Sequence, residues 1–111
     1  MERSKSVDRG VPFRFVDMID YQTDSIVSRT LIEQKSGNVT VFAFDQGQKL
    51  SEHTAPFDAL VEVVDGAAII TIDGSDYRVE AGQQIIMPAN IPHAVTAEER
   101  FKMVLIMIRG Q

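Results

Sequence analysis

The sequence predicts an all-β domain, a sandwich or barrel, on three observations. Short runs rich in β-branched and aromatic residues recur along it, as in Val39-Thr-Val-Phe-Ala-Phe-Asp45. Turn residues punctuate these runs: Ser36-Gly37-Asn38, Gln46-Gly47, Asp65-Gly66, Asp73-Gly74, Ala81-Gly82 and Pro88-Ala-Asn90. No stretch holds a helical apolar period for long.

Taken in order, residues 1–10 are polar and read as a flexible tail ahead of a single domain over 11–111. Residues 11–21 carry Val11, Phe13, Phe15, Val16, Met18, Ile19 and Tyr21 in mixed period, neither helix nor strand by pattern, which suits a segment that covers a sheet surface or reaches a second subunit. Strands follow at 25–34 and 39–45, with Ser36-Gly37-Asn38 turning between them. In the second strand Val39, Val41 and Ala43 share one face, and Phe42 and Phe44 the other. A strand apolar on both faces must be covered twice, by a second layer or by a partner subunit. A loop at 46–49 precedes a strand at 59–65, stopped by Asp65-Gly66, with 67–72 as its hairpin partner. Asp73-Gly74 marks a two-residue turn of type I′, whose central residues both need positive φ. Strands at 77–79, 84–87, 94–96 and 101–108 complete the set.

Composition bounds the function. A chain of 111 residues is one domain by length. Its 44% hydrophobic and 24% charged residues are ordinary for a globular protein. A formal charge of −5 with no basic stripe argues against nucleic-acid binding, which needs clustered Lys and Arg. Cysteine is absent, which excludes disulfides, zinc–thiolate sites and cysteine nucleophiles. The N-terminal residues lack an apolar signal core, and the longest apolar run, 103–108, is far short of the ~20 residues of a membrane helix. A cytoplasmic protein without membrane contact is the expectation.

The chain has 2 histidines, and each lies in a motif. His53 lies in Gly47-Gln-Lys-Leu-Ser-Glu-His53-Thr-Ala55-Pro-Phe57-Asp-Ala59, and the stretch runs on to Gly66. His93 lies in Gly82-Gln-Gln-Ile-Ile-Met-Pro88-Ala-Asn90-Ile-Pro-His93-Ala-Val-Thr-Ala97. Imidazole is the commonest protein metal ligand and the side chain best suited to proton transfer near neutrality. These two stretches resemble the paired motifs of small single-domain cupins. Gly47, His53, Ala55, Ala59 and Gly66 fall on the spacing of the first motif, and Gly82, Pro88, Asn90, His93 and Ala97 on that of the second.

The resemblance covers about residues 38–108. It implies a jelly-roll barrel, also described as a double-stranded β-helix, and a homodimer paired through sheet surfaces. In metal-binding members the ligands are two histidines and a glutamate of the first motif and the histidine of the second. Here His53 and His93 hold the first and last places, and Ala55 and Ala59 the other two. The implied cofactor is a divalent metal (Zn, Fe, Mn or Ni) on an incomplete site. Asn90, where the family has glycine, also tolerates left-handed backbone, so the turn before Ile91-Pro92 survives.

Three functions stay open. One is a pocket lined by His53, His93, Ala55, Ala59 and Phe57 that binds a small polar molecule, anionic or hydroxylated. Another is a metal-dependent oxygenase or isomerase, with a carboxylate completing the ligand set. Asp58 is the better candidate for that carboxylate; Glu52 points to the opposite face if the stretch is extended, and Glu62 faces away from the cavity. The third is a structural or interaction domain whose histidines merely line the barrel mouth. Met87, Met103 and Met107 fit core filling, and Phe101 a core or cavity wall. No Ser-His-acid arrangement is legible around Ser51 or Ser75, and nothing singles out Tyr21 or Tyr77 as a proton donor.

Overall fold

The structure is a computed structural model, and it describes residues 7–110. The described residues form a single 3-10 turn, Phe15–Asp17, and the strands β1 Ile26–Gln34, β2 Gly37–Phe44, β3 Lys49–His53, β4 Ala59–Ile72, β5 Ser75–Glu80, β6 Gln84–Met87, β7 His93–Thr96 and β8 Phe101–Ile108. Every pairing is antiparallel. One sheet runs β1-β2-β8-β4-β6 and the other β5-β4-β7-β3, so β4 belongs to both. This is the expected all-β barrel of two curled sheets.

The shared strand corrects the sequence expectation. Asp65-Gly66 does not stop a strand, and 67–72 is not the hairpin partner of 59–65. Instead β4 runs unbroken through Ala59–Ile72, and its pairing with β8 slips between Val63 and Asp65. Such a bulge bends a strand and raises its local twist, which lets one strand turn a corner between two sheets. Gly66 sits at that corner with φ of 70°, and an added Cβ would collide with the Arg100 carbonyl oxygen and with Phe101. Only glycine meets both demands. Beyond the corner, 67–72 pairs with β5 and β7. Asp73 and Gly74, at φ of 51° and 83°, form the expected turn into β5. A second addition is β3, a short edge strand of mostly exposed residues in a stretch whose polar composition gave no strand signal.

Two apolar clusters form on the two faces of the larger sheet. The barrel interior holds Phe44, Val61, Val63, Ala68, Ile70, Val95, Phe101 and Met103, each no more than 2% exposed. Phe44 and Phe101 stack with ring centroids 4.6 Å apart, next to the Gly66 corner, and close that end of the barrel. The outer cluster joins Leu31, Val41, Ala43 and Val104 to Ile19, Phe15, Met18 and Tyr21. Residues 11–21 thus lie over a sheet face, and the two-faced apolar pattern of β2 is explained: Val41 and Ala43 face outward under this strap, Phe44 inward. The strap is fastened by Tyr21, whose hydroxyl donates to Asp65 at 2.5 Å, and by Lys102, which donates to the Val16 carbonyl at 2.8 Å. Burial and the Asp65 carboxylate hold the Tyr21 phenol well above its usual range, so it stays protonated and donating. Of the expected tail, residues 7–10 are described and Val7 packs against the outer cluster, while residues 1–6 lie outside the described residues. No helix among the described residues is long and apolar enough to cross a membrane.

Candidate functional site

The end of the barrel opposite the Phe44–Phe101 stack gathers the sequence-predicted residues. β3 ends at His53 and β7 begins at His93, and the two are directly opposed in the ladder. Directly opposed strand residues on one face bring their side chains together. Their Nε2 atoms lie 3.1 Å apart, and the rings meet edge to face with centroids 4.4 Å apart. His93 is 6% exposed, whereas His53 is exposed at the rim. The loop 54–58 then carries the chain across the same end to Ala59, the first residue of β4.

The hydrogen inventory of the pair is unusual. His53 Nδ1 lies 2.9 Å from the Ser51 carbonyl oxygen, and His93 Nδ1 lies 3.3 Å from that of Ile91. A carbonyl oxygen only accepts, so each Nδ1 is best satisfied as an N–H donor. In neutral rings that leaves both Nε2 atoms as bare acceptors, facing one another. Moving one hydrogen to Nε2 repairs that contact and breaks the same ring's bond to its carbonyl. A neutral pair is therefore one hydrogen short in every tautomer. Burial holds His93 below its ordinary pKa, with His53 adding to the shift and the Ile91 carbonyl opposing it.

The remaining predicted residues divide. Ala55 is half-buried on the loop, and its carbonyl accepts the Asn90 N–H at 2.7 Å. Asn90 has φ of 65°, the left-handed turn expected of it. Ala59 is 5% exposed and packs into the interior cluster. Phe57 is half-buried on the same loop. Asp58 does not complete a ligand set, because its carboxylate accepts the Ala89 N–H at 2.8 Å and braces the turn after Met87. Glu62 lies opposite Val104 in the ladder, on the outer face. Among the described residues no three of His, Cys, Asp and Glu converge as a metal-binding group. Two imidazoles, with Ala55 and Ala59 at the motif's other two ligand positions, do not supply the three or four donors of a resident metal.

Two residues were missed. Asn38 and Thr40, 7% and 8% exposed, sit on the inward-facing parity of β2, with the Thr40 hydroxyl donating to Asn38 Oδ1 at 3.3 Å. By register Asn38 opposes Met107, which in turn opposes Ala59, so this polar step lies toward the histidine end. Its signal was present in the sequence: Thr40 shares a face with Phe42 and Phe44.

Residues 40–109 match the cupin domain family. The chain belongs to the cupin family. A conserved protein of unknown function from Streptococcus pyogenes is 37% identical, with a TM-score of 0.90, and the match covers 100% of this chain and 97% of that one. A cupin 2 conserved barrel domain protein from Leptotrichia buccalis is 42% identical with a TM-score of 0.84 over 86% of this cupin. The match spans only 47% of that longer chain. A cupin superfamily protein from Desulfitobacterium hafniense is 25% identical, with a TM-score of 0.87, over 96% of this chain and 98% of that one. Comparison with curated proteins gives no significant match.

Proposed function

We propose that this cupin binds a small polar molecule at the open end of its barrel, on His53 and His93. The observation that carries this reading is the facing pair of Nε2 atoms at 3.1 Å, with both Nδ1 atoms directed at backbone carbonyls. A ligand that donates a hydrogen, a hydroxyl or a carboxylic acid, supplies what the neutral pair lacks. A carboxylate taken up with one proton does the same, because the pair then holds a positive charge beside it. Ala55 and Ala59 put no carboxylate at the two positions of the motif where metal-binding relatives carry a histidine and a glutamate. The donor set does not support a metal-dependent reaction. The chemistry offered is recognition, in the manner of a sensor or accessory protein.

The test is calorimetric titration with short acids and polyols, glycolate, acetate and glycerol among them, against wild type, His53→Ala and His93→Ala. Binding of at least one probe is expected, weakened about 10-fold or more by either substitution, the loss of roughly one charge-assisted hydrogen bond. If both substitutions leave every detectable interaction unchanged, the barrel is an interaction domain and the proposal fails.

A further inference from the structure

The inner face of the larger sheet carries polar groups where a closed core would carry none. Opposed residues of a ladder share a face, so Thr30 and Thr40 lie on the interior side with Leu105 and Val61. Val61 is fully buried. Phe42, Leu105 and Met107, on the same face, are only half-buried, although β2 and β8 are flanked by strands on both sides. Surface left bare on the inner face of a central strand borders a cavity inside the barrel. The strand path begins at β1 and ends at β3. The inner-face residues of these two edges, Ser28 and Thr30 on one and His53 on the other, are exposed, so the cavity is entered between them.

Hydrogens again determine what this wall can offer. The Thr40 hydroxyl donates to Asn38 Oδ1 at 3.3 Å. Its oxygen, 3.2 Å from that of Thr30, therefore accepts the Thr30 hydrogen. Both hydroxyls are spent toward Asn38, which leaves the amide oxygen satisfied and the two N–H groups over. Glu33, opposite Asn38 in the ladder, turns instead to Arg109 at 3.4 Å. Asn38 is 7% exposed, no described residue accepts from its Nδ2, and that nitrogen is not sealed from solvent. A buried amide N–H without an acceptor is costly, and a ligand oxygen relieves it. We propose that Asn38 is the second contact of the ligand held by His53 and His93, and that this ligand is a short carboxylic acid with a hydroxyl or carbonyl oxygen further along its chain. The proposal rests on the histidine reading. The acid group meets the imidazoles, the carbon chain lies along Leu105 and Met107, and the second oxygen accepts from Asn38 Nδ2. A plain acid of the same length covers Nδ2 with methylene and leaves it unbonded, so the site discriminates against it.

Calorimetric titration with matched acids tests this: 3-hydroxybutyrate against butyrate, 4-oxopentanoate against pentanoate, and 5-oxohexanoate against hexanoate. Wild type is expected to bind the oxygenated member of at least one pair about 10-fold more tightly than its parent, the worth of roughly one buried hydrogen bond. In Asn38→Leu, which keeps the size and removes the amide, that ratio is expected to fall to within about 2-fold. Thr40→Val removes the hydroxyl that orients the amide and is expected to lower the ratio about 3-fold or more. A circular dichroism melt establishes that each variant is folded, and Thr40→Val serves alone if Asn38→Leu is not. Wild type that binds acids with no preference in any pair overturns the second contact and leaves the histidine reading standing. So does a folded Asn38→Leu or Thr40→Val that keeps the full ratio. Wild type that binds none of the six acids overturns the histidine reading and this proposal with it.

Discussion

The two ends of the barrel are built on opposite terms. At the closed end Phe44 and Phe101 are 0% exposed and stacked, a glycine is forced at the β4 corner, and Tyr21 ties the strap to Asp65. At the other end the two histidines face each other, as a neutral pair one hydrogen short, and Ala55 and Ala59 hold the motif's other two positions. Stability is concentrated at the Phe44–Phe101 end, and the unmet demand for a hydrogen lies at the histidine end, where the ligand is proposed to bind. Local violations of satisfied bonding are expected at functional sites, and the rest of the fold must stabilise them.

The comparison can be broken first at the closed end. Phe101→Ala is expected to cost about 3–5 kcal/mol, the range for emptying a buried aromatic site, measured by chemical denaturation. His53→Ala, at the exposed rim, is expected to stay within about 0.5 kcal/mol of wild type. Equal losses at the two ends would refute the division.

The next effect is a gain at the open end. Ala55→His with Ala59→Glu restores the family's four metal-ligand positions. Because Ala59 is 5% exposed, the new carboxylate is buried and unpaired without metal, so the double variant should melt below wild type in chelator. Added Zn²⁺ should recover that loss, with metal affinity raised on the order of 100-fold over wild type. A folded variant that binds metal no better than wild type would mean that Ala55 and Ala59 are not the vacant ligand positions.

A smaller loss belongs to the corner. Gly66→Ala is expected to cost more than about 1 kcal/mol, because alanine disfavours positive φ and its methyl meets the Arg100 carbonyl. An unchanged melting temperature would show that the β4 bend is not anchored there.

The mildest effect is on pH. The folded pKa of His93 is lowered, so its neutral form favours the native state. Its contribution is fully present above the unfolded value of about 6.5 and is lost as pH falls through the folded value. Stability should therefore decline with acidification in that window more steeply in wild type than in His93→Gln; identical profiles would remove His93 from the account.

Much of this was legible in the sequence. The all-β architecture and the two apolar faces of β2 followed from alternation and turn residues, and which face points inward did not. The histidine pair was placed by motif spacing. Two further features were not legible. Asp65-Gly66 carries the same dipeptide signal as the real hairpin turn at Asp73-Gly74, and only the collision of a Cβ with Arg100 separates a corner from a turn. The shortage of hydrogens at the site depends on where the Ser51 and Ile91 carbonyls point, a backbone property with no side-chain signature.

The most direct test of the central claim is long-range ¹H–¹⁵N NMR of the histidine rings at neutral pH, without and with glycolate. The account predicts Nδ1–H on both rings in the neutral free protein, and joint movement of both Nε2 signals when the ligand supplies a hydrogen. An Nε2–H tautomer on either ring of the free protein, or Nε2 signals indifferent to every acid and polyol offered, would contradict it.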